Sequence, residues 1–170
     1  MSGIIDEQFK FAAKQYKVLS KNVPTDKMPK TFNYSQNMIE TSSTKCWCSG
    51  FYPGSLLYIY EYTKDPEIKS EAINRLSILE KEKHYTGHHD LGFMMYCSFG
   101  NAYRLFKNPE YNATIDTASM SLITRYRPSI KSIQSWNSAS KLKCPVIIDN
   151  MMNLEMLCWA SDNGSNKNIS

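Results

Sequence analysis

Three stretches of this 170-residue chain read as helix with apolar side chains on every face, and each follows a stretch that is apolar on one face only. That alternation restricts the architecture more than any single motif does. A helix apolar all round has to be covered on all sides, whereas an amphipathic one is covered on one. The one-sided segments run from Ile4 to Leu19, with Phe9, Ala12, Ala13, Tyr16 and Leu19 in one stripe; from Asp65-Pro66 through Ile68, Ala72, Leu76 and Leu79; and from Asn108-Pro109 to about Tyr126. Asp65 is read as an N-cap, Pro66 fits the first helical position, and the last of the three segments ends before Pro128. The all-round apolar segments are Ser55–Tyr62, Leu91–Phe106 and about Asn150–Ala160. Two concentric layers of helical hairpins need this order, with the apolar helices inside, so the pattern predicts part of an all-α toroid. A four-helix bundle is the competing arrangement, but its helices would each keep a wet face.

The remaining segments are assigned by default. Asn22–Ser43, with Pro24, Pro29 and many small polar residues, is expected to be a surface loop with room for one strand. Glu71 and Arg75 are placed as an ion pair on the wet face of their helix, and Glu80–Lys83 as a solvated helix end. Cys97 and Cys158 are expected in the core as small hydrophobes.

Composition excludes several classes of function. Twenty Lys+Arg against 16 Asp+Glu leave a net charge of +4, too mild for a nucleic-acid-binding or polybasic membrane surface. The longest mostly apolar run, Leu91–Gly100, falls short of the roughly 20 residues that span a bilayer. Five irregularly spaced cysteines do not make a disulfide framework. The start Met-Ser-Gly-Ile-Ile-Asp-Glu shows no secretory signal, which points to a cytoplasmic or, with a removed leader, periplasmic location. The adjacent His88-His89 pair has neither the helical nor the spaced pattern of zinc ligands, and no phosphate-binding or dinucleotide loop is present, so no metal and no cofactor are expected.

Each apolar helix is preceded by a loop carrying glycine, aromatic or acidic residues: Cys46-Trp47-Cys48-Ser49-Gly50-Phe51, Gly87-His88-His89-Asp90-Leu91-Gly92 and Ile147-Ile148-Asp149-Asn150. If the inner helices run parallel, these loops meet at one end of the ring. Asp90 and Asp149 would then face one cavity, where two carboxylates can divide acid and base roles. The competing reading is that both aspartates are helix N-caps. Trp47 and Trp136 could be sugar-stacking platforms or ordinary core aromatics.

Taken together, Trp47-Cys48-Ser49-Gly50-Phe51, His89-Asp90-Leu91-Gly92-Phe93-Met94, Ile133-Gln134-Ser135-Trp136 and Ile147-Ile148-Asp149-Asn150-Met151-Met152-Asn153-Leu154 resemble the unsaturated glucuronyl hydrolases, glycoside hydrolase family 88. The resemblance implies an (α/α)6 toroid with about six of its twelve helices in this chain, residues 1–170 being the N-terminal half of one domain. It implies an unsaturated uronic-acid oligosaccharide as partner, with no nucleic acid and no membrane. The implied reaction is hydration of the C4=C5 double bond of the non-reducing terminal uronic acid. Carried over by position, Asp149 is the acid and base, Asp90 binds the sugar hydroxyls and tunes its neighbour, Trp47 and Trp136 border the sugar, and His89 makes a polar contact. Ile147, Ile148 and Met152 are expected to shield Asp149 from water and raise its pKa. The alternatives are an unsaturated rhamnogalacturonyl hydrolase and an inactive carbohydrate-binding remnant. A half toroid standing alone would also be expected to self-associate through its uncovered apolar flank.

Overall fold

The computed structural model describes residues 2–137 and 141–164. Its elements are helix α1 (Ser2–Asn22), an antiparallel hairpin of β1 (Met28–Asn33) and β2 (Met38–Ser42), α2 (Phe51–Thr63), α3 (Pro66–Leu79), α4, α5 (Pro109–Ile123), a short β3 (Tyr126–Arg127) and β4 (Ser132–Ile133) pair, and α6 (Asn150–Asn163). Helix α4 begins as a π-helix over Gly92–Gly100 and continues without a break as Asn101–Phe106. A 3-10 turn, Glu80–His84, follows α3.

Helices α2, α4 and α6 lie side by side as the inner layer, while α1 and α3 cover α2 and α5 covers α4. The inner helices run in the same direction. A Cβ at Gly50 would strike the Phe93 and Met94 carbonyls and one at Gly54 the Cys97 carbonyl, so α2 and α4 advance together with their backbones in contact. A Cβ at Gly92 would lie 2.6 Å from the Asn153 Cα, and farther along Tyr96 and Tyr103 both meet the Trp159 ring, so α4 and α6 also run together. The alternating layers expected from the sequence are therefore present, with all three loops that carry candidate residues at one end.

Local signals account for much of this. The Asp65 carboxylate accepts from the Glu67 and Ile68 amides, and Asn108 caps α5 in the same way with Pro109 next to it. In the π-wound part of α4, Ser98 Oγ donates to the Met94 and Met95 carbonyls and Asn101 Nδ2 to the Cys97 carbonyl, engaging oxygens that a widened turn holds less well. The α1 stripe of Phe9, Ala12, Ala13, Tyr16 and Leu19 packs on the core as its spacing predicts. Among the described residues no helix is long and apolar enough to cross a membrane.

Several expectations are corrected. The segment read as a loop with one strand contains a two-stranded hairpin. Glu71–Arg75 is not on a wet face: Arg75 is 2% exposed, and its guanidinium donates to Glu71 and to the carbonyls of Val23, Pro24 and Lys27. Glu82, read as part of a solvated end, is buried and accepts from the Thr44 hydroxyl at 2.5 Å. Helix α6 is buried along Asn150, Asn153, Met156 and Ala160 only, leaving Met151 and Met152 exposed and Cys158 outside the core. The polar residues Ser161, Asp162 and Asn163 form the last turn of α6, and residues 165–170 lie outside those described.

Candidate active site

The site is built where the first turns of α4 and α6 meet. Asp149 occupies the position just before α6 with helical dihedrals, φ −66° and ψ −10°, and its side chain accepts no helix amide. A capping residue normally adopts an extended backbone that turns its oxygen back onto the helix. Asp90, just before Leu91 at the start of α4, directs its carboxylate to histidines instead: Oδ2 is 3.1 Å from His88 Nδ1 and Oδ1 is 3.4 Å from His89 Nε2. The N-cap reading therefore fails for Asp149, and the contacts of Asp90 are with histidine rings.

His89 joins the two aspartates. Its ring is buried, and Nε2 lies 3.7 Å from Asp149 Oδ2 as well as 3.4 Å from Asp90 Oδ1. Its other nitrogen, Nδ1, is 2.7 Å from Asn150 Oδ1. The Asn150 amide is oriented by its own Nδ2, which donates to the Ile133 carbonyl at 2.7 Å. Oδ1 can then only accept, so Nδ1 carries the hydrogen and Nε2 presents either a lone pair or a second proton to the carboxylates. Asp149 Oδ1 is buried without a hydrogen-bond partner among the described residues. Such an oxygen is uncommon in a folded protein and marks a place where a proton or a substrate donor would be welcome. The donor atoms of His89, Asp90 and Asp149 all lie within 4.8 Å of one another, so they are spaced to converge on one proton or on one cation.

The walls are tied by polar residues that sequence reading passed over. The His89 amide donates to the Ser135 carbonyl, the Ser135 amide donates to the Pro145 carbonyl, and Ser135 Oγ accepts from the Ile147 amide. Asn153 Oδ1 accepts from the Phe93 amide while its Nδ2 donates to the Asp149 carbonyl, locking α6 to α4. Arg125 is buried and donates to the carbonyls of Thr86 and Gln134 and to Asn137 Oδ1, riveting the loop before His88 to the loop before Trp136. Burial, with the positive charge of Arg127 beside it, lowers the Arg125 pKa. Ser135, Asn150 and Asn153 lie within the motifs that carry the resemblance, which assigned them no role, whereas Arg125 lies in none of those motifs and only spatial proximity marks it.

The aromatic candidates divide. The Trp136 ring meets the edge of His89 with centroids 6.0 Å apart, directly beside the cluster. Trp47 stands on the neighbouring rim, about half exposed, in edge contact with Phe51 and Phe93. Its loop is joined to the site by a hydrogen bond from His88 Nε2 to the Lys45 carbonyl. The apolar shield expected around Asp149 is absent: Ile148 and Met152 point outward, 87% and 62% exposed, and the Asp149 side chain is itself 38% exposed.

His88 behaves as a local charge partner of Asp90. Burial opposes its protonation, but the hydrogen bond to Asp90 and the Lys45 carbonyl outweigh burial and hold its pKa above the ordinary imidazole value. With the folded pKa raised, this interaction stabilises the fold fully below the unfolded imidazole pKa and is lost as pH rises through the folded one. An NMR titration is expected to give His88 a midpoint above that of a free imidazole, and Asp90→Asn is expected to lower it. An unchanged midpoint in the variant would show that Asp90 is not the cause.

No family model matches the chain. A curated relative from Formosa agariphila named unsaturated glucuronyl hydrolase is 37% identical over 149 residues, covering 85% of this chain and 37% of the relative. An unsaturated chondroitin disaccharide hydrolase from Streptococcus pyogenes is 34% identical over 126 residues, covering 71% of this chain and 32% of the relative. Among solved structures, an unsaturated glucuronyl hydrolase specific for heparin superposes with a TM-score of 0.90 at 30% identity, covering 99% of this chain and 45% of that one. The chain thus spans about a third of the length of the curated relatives it matches. The resemblance expected from the four motifs is present in both sequence and fold.

Proposed function

The chain belongs to the unsaturated glucuronyl hydrolases, matching one portion of them, and we propose that it shares their chemistry as well, removing a terminal unsaturated uronic acid from an oligosaccharide. In this reading residues 1–170 are the N-terminal half of a single helical toroid. The observation that carries it is the convergence of Asp90 and Asp149 on His89, with one Asp149 oxygen buried and unpartnered.

The reaction differs from ordinary glycoside hydrolysis because the substrate is a vinyl ether. Asp149, as an acid, protonates C4 of the C4=C5 double bond and leaves an oxocarbenium-like centre at C5. Its carboxylate then takes a proton from the water that adds to C5. The resulting hemiketal opens and releases the remaining sugar. One carboxyl serves both steps, which general acid–base catalysis allows when it is held within hydrogen-bond reach of each proton. Asp90 binds the sugar hydroxyls, and His88 and His89 hold its carboxylate in place. Trp136 and Trp47 border the ring plane, and His89, with its Nδ1–H committed to Asn150, offers Nε2 to the proton inventory of the pair.

The test uses the ultraviolet absorbance of the conjugated uronate. Incubation with an unsaturated glucuronyl disaccharide is expected to remove that absorbance, with slower loss from an unsaturated rhamnogalacturonyl disaccharide. The reverse preference would transfer the assignment to the rhamnogalacturonyl enzymes. Binding of either sugar without loss of absorbance would make the chain a binding remnant.

A further inference from the structure

Two thiols outside this chemistry lie almost in contact. Cys46 Sγ and Cys48 Sγ are 3.4 Å apart, both partly accessible, and only Trp47 separates them in sequence. A chain of tight turns sets their approach: the Cys46 amide donates to the Ser43 carbonyl, the Ser49 amide to the Cys46 carbonyl, and the Phe51 amide to the Cys48 carbonyl. The backbone is therefore already folded back on itself where a bridge would form. Each of the other three cysteines lies on a different element: Cys97 in α4, Cys158 on α6, and Cys144 in the loop before α6.

We propose that Cys46 and Cys48 are a redox-active pair that closes reversibly to an intramolecular disulfide by exchange with a low-molecular-weight disulfide. Cys46 is the attacking sulfur. Burial disfavours its thiolate, but hydrogen bonds from the Cys48 amide and thiol and the positive charge of Lys30 more than offset that, and its pKa lies below the ordinary thiol value. Cys48 is held up at about 11, by burial first and then by its hydrogen bond to Cys46 and the charge there. The Cys46 thiolate attacks one sulfur of the small disulfide. That S–S bond breaks, a mixed disulfide forms at Cys46, and one small thiolate leaves and takes up a proton. With Cys46 no longer anionic, Cys48 loses its proton more readily, attacks the Cys46 sulfur and displaces the second small thiolate. Two protein thiols are oxidised and one small disulfide is reduced to two thiols. A bridge spanning a single residue is strained, and strained disulfides have more oxidising potentials, which makes the pair a reversible switch rather than a structural staple.

The closed pair would hold Trp47, whose indole stands on the rim beside Phe51 and Phe93, in one orientation. Mass spectrometry tests the proposal without any substrate. Trypsin releases residues 46–64 as one peptide containing these two cysteines and no others. After exposure to oxidised glutathione and quenching with an alkylating agent, this peptide is expected to become unalkylated and lighter by two hydrogens. Dithiothreitol should restore double alkylation, and Cys46→Ser should leave Cys48 unable to form the bridge. Persistence of the doubly alkylated peptide, or accumulation of a stable glutathione adduct on either cysteine, would overturn the pair.

Discussion

Asp149→Asn is expected to lower turnover of an unsaturated glucuronyl disaccharide by about 10²–10⁴-fold, the range general acid–base groups contribute, with little change in substrate affinity. The structure supplies the control. Because the Asp149 carboxylate caps no helix amide, Asp149→Ala should leave the unfolding temperature nearly unchanged. A true N-cap replaced by Ala would instead cost about 0.5–2 kcal/mol. Loss of activity together with intact stability would therefore assign the role to Asp149. Full activity in a folded variant removes it from the role, whatever the rest of the cluster does.

The largest expected effect on stability lies elsewhere. Arg75→Met should destabilise the fold by about 3–5 kcal/mol, because it leaves Glu71 without its cation and three carbonyls of the turn after α1 without a donor. For a chain of this size that corresponds to a fall in Tm of roughly 6–20 °C in thermal unfolding. Adding Glu71→Gln to the Met variant is expected to recover part of the loss by removing the unpaired charge, leaving the carbonyl deficit. A fall of less than about 1 kcal/mol would mean that the guanidinium behaves as an exposed pair would, contrary to its 2% exposure.

That contrast shows what sequence patterns carry and where they stop. The four-residue spacing of Glu71 and Arg75 specifies that they pair, but not which way the pair faces, and here it faces the carbonyls of residues 23, 24 and 27. Capping signals at Asp65-Pro66 and Asn108-Pro109 were legible because they are local. The layered arrangement was legible because it follows from counting apolar faces. The β1–β2 hairpin was not, since Lys27–Ser42 lacks clean alternation and its strands are mostly exposed. Helix α6 read as apolar all round, yet its outer residues, Met151 and Met152 among them, meet solvent, so composition alone overstated its burial. For the site, the motifs indicated that Asp90 and Asp149 belong to one end of the ring. The dihedrals that free Asp149 from capping, and the Asn150 amide that fixes the His89 hydrogen, are three-dimensional facts with no one-dimensional trace.

The bonds that join α6 to the rest of the cluster span long stretches of chain: 61 residues from His89 to Asn150 and 60 from Phe93 to Asn153. On a ribosome, where chains fold from the N-terminus, α1 to α5 can pack on one another before residue 149 has been synthesised. The carboxylate cluster is thus the last thing this region acquires. A nascent chain that has not yet reached α6 holds Asp90 without Asp149, so the meeting of the two carboxylates is separable in time from the contacts among α1 to α5.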